Sequence, residues 1–395
     1  MLHSLRSASL IFVLLLSTDA ALAQPTFVAF ESGPVRPLAM SPDGTKLFAV
    51  DISDNRLEIF SISAGSLTHT GSVPVGMEPV AVAARSNSEV WVVNHLSDSV
   101  SIVDLSASPP KVTKTLLVGD EPRDIVFAGT GGNRAFITTA HRGQHRTHPS
   151  LDPVAGLGSD IVGGLPDGDP RLTEQGIGRA DVWVFDATSP GTTIGGTPVA
   201  VVTFFADTPR ALAVSPDGNT VYAAAFHSGN QTTAIPEIVV CDGFGPSTAG
   251  CTPGTFRVAN PPDNAAAVSA PETGVLVKFD GATWRDAAGN DWGAAVQLSL
   301  PDHDVFSVDA NTLAPGSIVE FDHVGTILFN MAVNPVSGKI YVTNTELPNH
   351  VRFEGPGNHG GSTVQGHLSE SRITVIDPGV PSVAPKHLNQ HIDYA

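Results

Sequence analysis

Thr208-Pro-Arg-Ala-Leu-Ala-Val-Ser-Pro-Asp-Gly-Asn-Thr-Val-Tyr-Ala-Ala-Ala-Phe-His227 is the stretch from which the fold is read. It holds two short runs in which apolar residues alternate with small or polar ones, the period of a strand with two different faces. Ser215-Pro-Asp-Gly218 separates the runs. Proline presets φ for the first half of a tight turn and glycine accepts the positive φ that closes it. The stretch therefore reads as two antiparallel strands joined by a turn.

The same pattern recurs along the chain. It appears as Arg36-Pro-Leu-Ala-Met-Ser-Pro-Asp-Gly-Thr-Lys-Leu-Phe-Ala-Val50. Glu78-Pro-Val-Ala-Val-Ala-Ala84 with Glu89-Val-Trp-Val-Val-Asn-His95 is a second copy. Glu121-Pro-Arg-Asp-Ile-Val-Phe127 with Arg134-Ala-Phe-Ile-Thr-Thr-Ala-His141 is a third. Phe329-Asn-Met-Ala-Val-Asn-Pro335 with Lys339-Ile-Tyr-Val-Thr-Asn344 is the last. A third strand follows each pair, at Arg56–Phe60, Ser99–Asp104, Asp181–Asp186, Asp304–Asp309 and Arg372–Asp377. A fourth precedes the next unit, as at Lys114–Gly119 and Ser317–Phe321. Successive prolines Pro37, Pro79 and Pro122 lie 42 and 43 residues apart. Four strands in a repeat of about 40 to 45 residues predict the blades of a β-propeller. The expected fold is all-β, with five blade units at about 34–75, 76–118, 119–206, 207–325 and 326–391.

Tyr341-Val-Thr-Asn344 and the third-strand endings in Val-Asp, Phe-Asp or Ile-Asp resemble the YVTN β-propeller repeat family. The resemblance extends over about residues 34 to 390. It implies a propeller fold and leaves function open. Relatives implied by it include stand-alone periplasmic propellers, propellers fused to c-type cytochrome domains, and quinoprotein-like proteins of similar architecture. Five units are visible here, whereas about seven are usual for the family. Either the ring closes with five blades or the chain is the N-terminal piece of a longer protein, and the second is expected. Pairing of the open sheet edge with the insertions is a third arrangement.

The rest of the sequence bounds the setting. Among 395 residues, 21 lysines and arginines stand against 39 acidic residues, a net charge of −18. That balance argues against nucleic acid, whose phosphates need a basic footprint. Residues 1–23 read as a signal peptide: Arg6, the apolar run Leu10–Leu16, and the cleavage site Ala21-Leu-Ala23. No segment is long and apolar enough to span a bilayer. The expected location is periplasmic or secreted. In such a compartment Cys241 and Cys251 are expected to pair, with two free thiols as the other state.

Strand order places the loop between second and third strands on the same face as the start of the innermost strand. Three long insertions, at about 142–179, 228–302 and 345–370, fall in that loop and gather on one face. Long loops on a rigid scaffold are where binding usually resides. The second insertion should contain a small hairpin, Gly274–Asp280 with Ala294–Leu298. His95, His141 and His227 end equivalent strands and are expected to converge. Arg123 and Arg210 follow the repeat prolines and should line the channel mouth. With Arg142 and Arg146 they are candidates for anion or carboxylate capture, or for ion pairs between blades. His141, His145 and His148 are candidate ligands for copper or iron, and a haem held by His141 or His227 is a related arrangement. Asp160, Asp167 and Asp169 lie in a glycine-rich loop that suits calcium. No c-type haem motif, zinc-protease motif, nucleophile elbow or P-loop is present. The expected function is therefore a binding or interaction module with no catalytic residue assigned, its partner a protein or a small ligand. The alternatives are an oxidoreductase using a metal or haem on the top histidines, and an envelope scaffold.

Overall fold

The computed structural model describes residues 33–140, 180–204, 206, 208–236, 239–240, 274–286, 289–296, 303–314, 318–347 and 369–392. Sheet 1 contains β1 (Leu38–Met40), β2 (Lys46–Asp51), β3 (Arg56–Ser63) and β4 (Ser66–Pro74). Sheet 2 contains β5 (Pro79–Ala84), β6 (Glu89–Asn94), β7 (Ser99–Asp104) and β8 (Lys111–Leu117). Sheet 3 contains β9 (Ile125–Ala128), β10 (Arg134–Thr139), β11 (Ala180–Asp186) and β12 (Ala200–Phe204). Sheet 4 starts with β13 (Pro209–Val214) and β14 (Thr220–Ala225). A small sheet of β15 (Thr232–Ile235), β16 (Val275–Phe279) and β17 (Trp284–Arg285) then intervenes. Sheet 4 resumes with β18 (Val305–Asp309) and β19 (Val319–Phe321). Sheet 5 contains β20 (Ile327–Val333), β21 (Ile340–Glu346), β22 (Glu370–Asp377) and β23 (Ser382–His387). Each sheet is antiparallel, and the strand order in sheets 1 to 5 is the order of the repeat. The architecture is all-β and propeller-like.

The turns form for the reasons the repeat suggests. In Ser41-Pro-Asp-Gly44 the Asp43 carboxylate accepts from the Ser41 hydroxyl at 2.6 Å and the Thr45 amide at 3.0 Å. Gly44 takes φ +70°. Asp217 does the same with Ser215 and Asn219, at 2.6 and 3.0 Å, and Gly218 takes φ +75°. The aspartates that end the third strands cap the next turn. Asp104, Asp186, Asp309 and Asp377 accept amides of Ser106, Thr188, Asn311 and Gly379 at 2.8 to 3.1 Å. The asparagine of the Tyr341–Asn344 motif is buried and donates to Thr374 Oγ1 at 2.8 Å. Its side chain fills the space beside Gly325, where an added Cβ would meet it closer than 3.0 Å. Asn94 and Gly76 repeat that close approach in sheet 2.

Apolar clusters fill the spaces between consecutive sheets. Phe48, Leu57 and Ile59 meet Val82, Val90 and Val92 between sheets 1 and 2. Trp91 and Val93 meet Ile125 and Ile137 between sheets 2 and 3. Phe136 and Val184 meet Leu212 and Ala223 between sheets 3 and 4. Tyr222 and Ala224 meet Leu328 and Val342 between sheets 4 and 5. The innermost strands β1, β5, β9, β13 and β20 together line a channel of about 570 Å³.

The expected hairpin in the second insertion is corrected. β16 pairs with β15 on one edge and β17 on the other, while Gly293–Ala295 forms a 3-10 turn. Asp280 sets this outcome: its carboxylate accepts the Ala282 and Thr283 amides at 2.9 Å and binds Arg285 Nε at 2.7 Å. The chain therefore turns back directly after Phe279, and Trp284 becomes its partner. Residues 1–23, Cys241, Cys251 and most of the three insertions lie outside the described residues.

Candidate functional site

The starts of the innermost strands and the ends of the second strands meet at one end of the channel. The His95, Ala140 and Phe226 amides donate to the Glu78, Asp120 and Thr208 carbonyls at 2.8 Å. Those carbonyl residues precede β5, β9 and β13. Glu78, Glu121 and Thr208 take positive φ there, of 53°, 47° and 52°, which turns the chain inward. The residues flanking the insertions sit at the same end, since Thr139 pairs with Asp181 and Glu346 with Glu370.

Pro34, Val35 and Arg36 cross this end ahead of β1. Val35 is buried in the cluster between sheets 4 and 5, and its carbonyl accepts from Asn330 Nδ2 at 2.9 Å. The Arg36 carbonyl accepts the Val82 amide of sheet 2 at 3.0 Å. Its guanidinium makes a bidentate pair with Asp124 of sheet 3, both bonds 3.1 Å, and donates to the Leu212 carbonyl of sheet 4 at 2.8 Å. Val35 and Arg36 thus tie four sheets together.

Asp124 is fully buried. Besides Arg36 it accepts the Ile125 and Leu212 amides, each at 2.8 Å. Burial pushes its carboxyl up, and the charge and hydrogen bonds of Arg36 oppose that, helped by the two amides. Arg36 is itself raised, by Asp124 foremost, against burial.

Arg123 and Arg210, predicted for the channel mouth, are both buried beside this pair. Arg210 Nε donates to the Phe329 carbonyl at 3.0 Å, and its guanidinium lies 4.9 Å from the centre of the Phe226 ring. Its pKa is pushed down to about 10, by burial first and by the neighbouring charge of Arg123 second, with Asp124 opposing. Arg123 reaches Glu121 at the rim, 3.8 Å away. Arg36 thus pairs with the buried Asp124 carboxylate, and Arg210 lies close enough to feel the charges of both Arg123 and Asp124. The ion pair that joins blades here is made by Arg36, a residue outside the candidates read from the sequence, while Arg123 reaches Glu121 of its own repeat and Arg210 the Phe329 carbonyl of sheet 5.

His95 and His227 differ in environment. His95 is buried, with Nδ1 3.4 Å from the Pro122 carbonyl. His227 is exposed, its ring 4.6 Å from that of Phe226. His141, His145, His148, Arg142, Arg146, Asp160, Asp167 and Asp169 lie outside the described residues. Among the described residues no three histidine, cysteine or acidic side chains are grouped to hold a metal. Sequence reasoning missed Arg36 and Asp124. The available signal was an aspartate directly after Arg123, at a position held by Ala81 and Ala211 in two other repeats and by a second polar residue, Asn330, in the fifth.

No protein-family model matches the chain, and no curated protein matches it in sequence. In three dimensions it is similar to the solved hydrazine synthase of Kuenenia stuttgartiensis, with a TM-score of 0.51 and 18% identity. That alignment covers 92% of this chain and 69% of the other. A 6-phosphogluconolactonase-like structure from Bacteroides uniformis aligns at TM-score 0.40 and 15% identity, over 90% and 72% of the two chains. Sqt1 from Chaetomium thermophilum aligns at TM-score 0.42 and 11% identity, over 90% and 59%. At 18% identity the likeness to hydrazine synthase concerns the fold alone, which is of the propeller type.

Proposed function

We propose that the chain is an exported propeller of the YVTN-repeat type that works as a binding module through the end of its channel. Five blades supply the scaffold, and residues 142–179, 228–302 and 345–370 are its insertions at that end. Residues 1–23 direct it to the periplasm or beyond. The observation that carries the reading is the burial of Arg123 and Arg210 at the end of the channel that holds the Arg36–Asp124 pair, in a chain of net charge −18. A buried guanidinium pair recognises planar anions, because its donors match the two oxygens of a carboxylate. The ligand class is therefore a carboxylate, on a small molecule or on an acidic side chain of a protein partner.

The test is a thermal-shift and calorimetric titration of the mature chain with succinate, citrate and inorganic phosphate. A ligand at about 100 times its Kd stabilises the folded state by about 2.7 kcal/mol. A carboxylate-dependent rise in Tm is expected, and it should vanish in Arg210→Gln and Arg123→Gln. A rise of equal size in both variants would remove the arginines from the site. Metal analysis of the same preparation separates this reading from a metal-dependent oxidoreductase.

A further inference from the structure

The repeat puts one aromatic at the same point of every second strand: Phe48, Trp91, Phe136, Tyr222 and Tyr341. Register fixes the equivalence. They face Ala39, Ala83, Val126, Ala213 and Ala332 of the adjacent innermost strands. The first four each enter the apolar cluster shared with the following sheet. Their exposures are 0%, 0%, 1% and 4%, whereas Tyr341 is 39% exposed.

The opposite face gives the complementary result. The residue just before each facing position, on the innermost strand, points to the preceding sheet. In sheets 2 to 5 these are Val82, Ile125, Leu212 and Met331, at 4% exposure or less. In sheet 1 the equivalent is Leu38 at 54%, followed two residues later by Met40 at 58%. Among the described residues, no apolar cluster unites the facing sides of sheets 5 and 1. Sheet 5 is instead tied at the channel end to the segment preceding β1, where Asn330 holds Val35.

We propose that the seam between sheets 5 and 1 is a docking position for a further four-stranded sheet of this same repeat. Four interfaces already present follow one recipe: an aromatic from the earlier sheet enters an aliphatic row of the later one. The seam continues that recipe on both sides. Its occupant turns an aliphatic pair, like Val82 with Val92, towards Tyr341, and an aromatic, like Trp91, towards Leu38. Exposed apolar faces of this kind mark interaction sites in soluble proteins.

Hydroxyl-radical footprinting of the full chain tests this, because the seam carries a tyrosine and a methionine with buried counterparts in the same molecule. In the free chain Tyr341 and Met40 should be oxidised while Tyr222 and Met331 are protected. The probe is the chain's own second repeat, residues 76–118, appended after Ala395 through a glycine-serine linker. With it, oxidation of Tyr341 and Met40 should fall to the level of Tyr222 and Met331. Continued reactivity in a folded fusion would overturn the proposal. So would protection of both residues in the free monomer, which means that the seam closes on itself, or in a dimer seen by sedimentation, which makes a second copy the occupant. A substitution series covers the case in which the fusion does not fold. Tyr341→Asp should leave the Tm of the full chain unchanged, whereas Tyr222→Asp should abolish its cooperative unfolding. An equal loss from both would mean that Tyr341 is packed in the free chain.

Discussion

Asp124 is the residue on which the channel end turns. It shares a bidentate pair with Arg36, from a segment 88 positions earlier, and holds two amides as well. Removing one member of a buried pair leaves the other charged and uncompensated, at a cost of about 3–5 kcal/mol. Asp124→Ala should therefore lower stability in a denaturant titration, by less than that amount because the Arg36 side chain is 32% exposed and keeps its bond to the Leu212 carbonyl. Replacing both members, as Arg36→Met with Asp124→Leu, should recover most of the loss, since apolar packing can substitute for a buried ion pair. If the double variant is no better than the single one, the pair is needed to hold the crossing segment in place rather than merely to neutralise its own charges. The pair was not legible in the sequence. Residue types and local spacing say nothing about which of many acids meets which base across such a separation.

At the scale of strands and turns far more was legible, because the determinants are local. The alternating runs, the Ser-Pro-Asp-Gly turns and the aspartate that ends four of the five third strands place strands that agree with the structure within a few residues. The small inserted sheet was misread because the partner of Val275–Phe279 is chosen by a turn at Asp280 and by a strand some 40 residues earlier. The turn aspartates carry a pH prediction. Asp43 is held at about 2, chiefly by the Ser41 hydroxyl, and Asp280 at about 2, chiefly by the Thr283 amide. Asp104, Asp186, Asp217 and Asp309 are lowered too, by hydrogen bonds of the same kind, and Asp377 is lowered chiefly by the Lys339 ammonium. A carboxylate lowered in the folded state stabilises that state in full above its ordinary value of 3.8, and the contribution is lost as pH falls towards about 2. The Tm should thus fall steeply across that interval. Asp43→Asn combined with Asp280→Asn should make the fall shallower, as read by circular dichroism melts at successive pH values.

For the whole molecule the important fact is that the core is divided. Among the described residues four apolar clusters each belong to a pair of consecutive sheets and a fifth is the core of the small inserted sheet, so sheets 2, 3 and 4 are packed on both faces and sheets 1 and 5 on one. Stability in stacked repeats is close to a sum of neighbour terms, and elements with fewer neighbours open at lower free energy. Native-state hydrogen exchange should therefore rank the second strands. Amides of β6, β10 and β14 should exchange slowest, near the global unfolding rate, and those of β2 and β21 faster. The ranking does not follow from hydrogen bonding alone, since all five are central strands with ladder partners on both edges. It follows from what lies above and below each sheet. Occupation of the seam would slow exchange in β2 and β21 together, while leaving β10, two sheets removed from either side, almost unchanged. Uniform exchange across all five strands would instead mean that the sheets unfold as one cooperative body, with no terminal pair to open first.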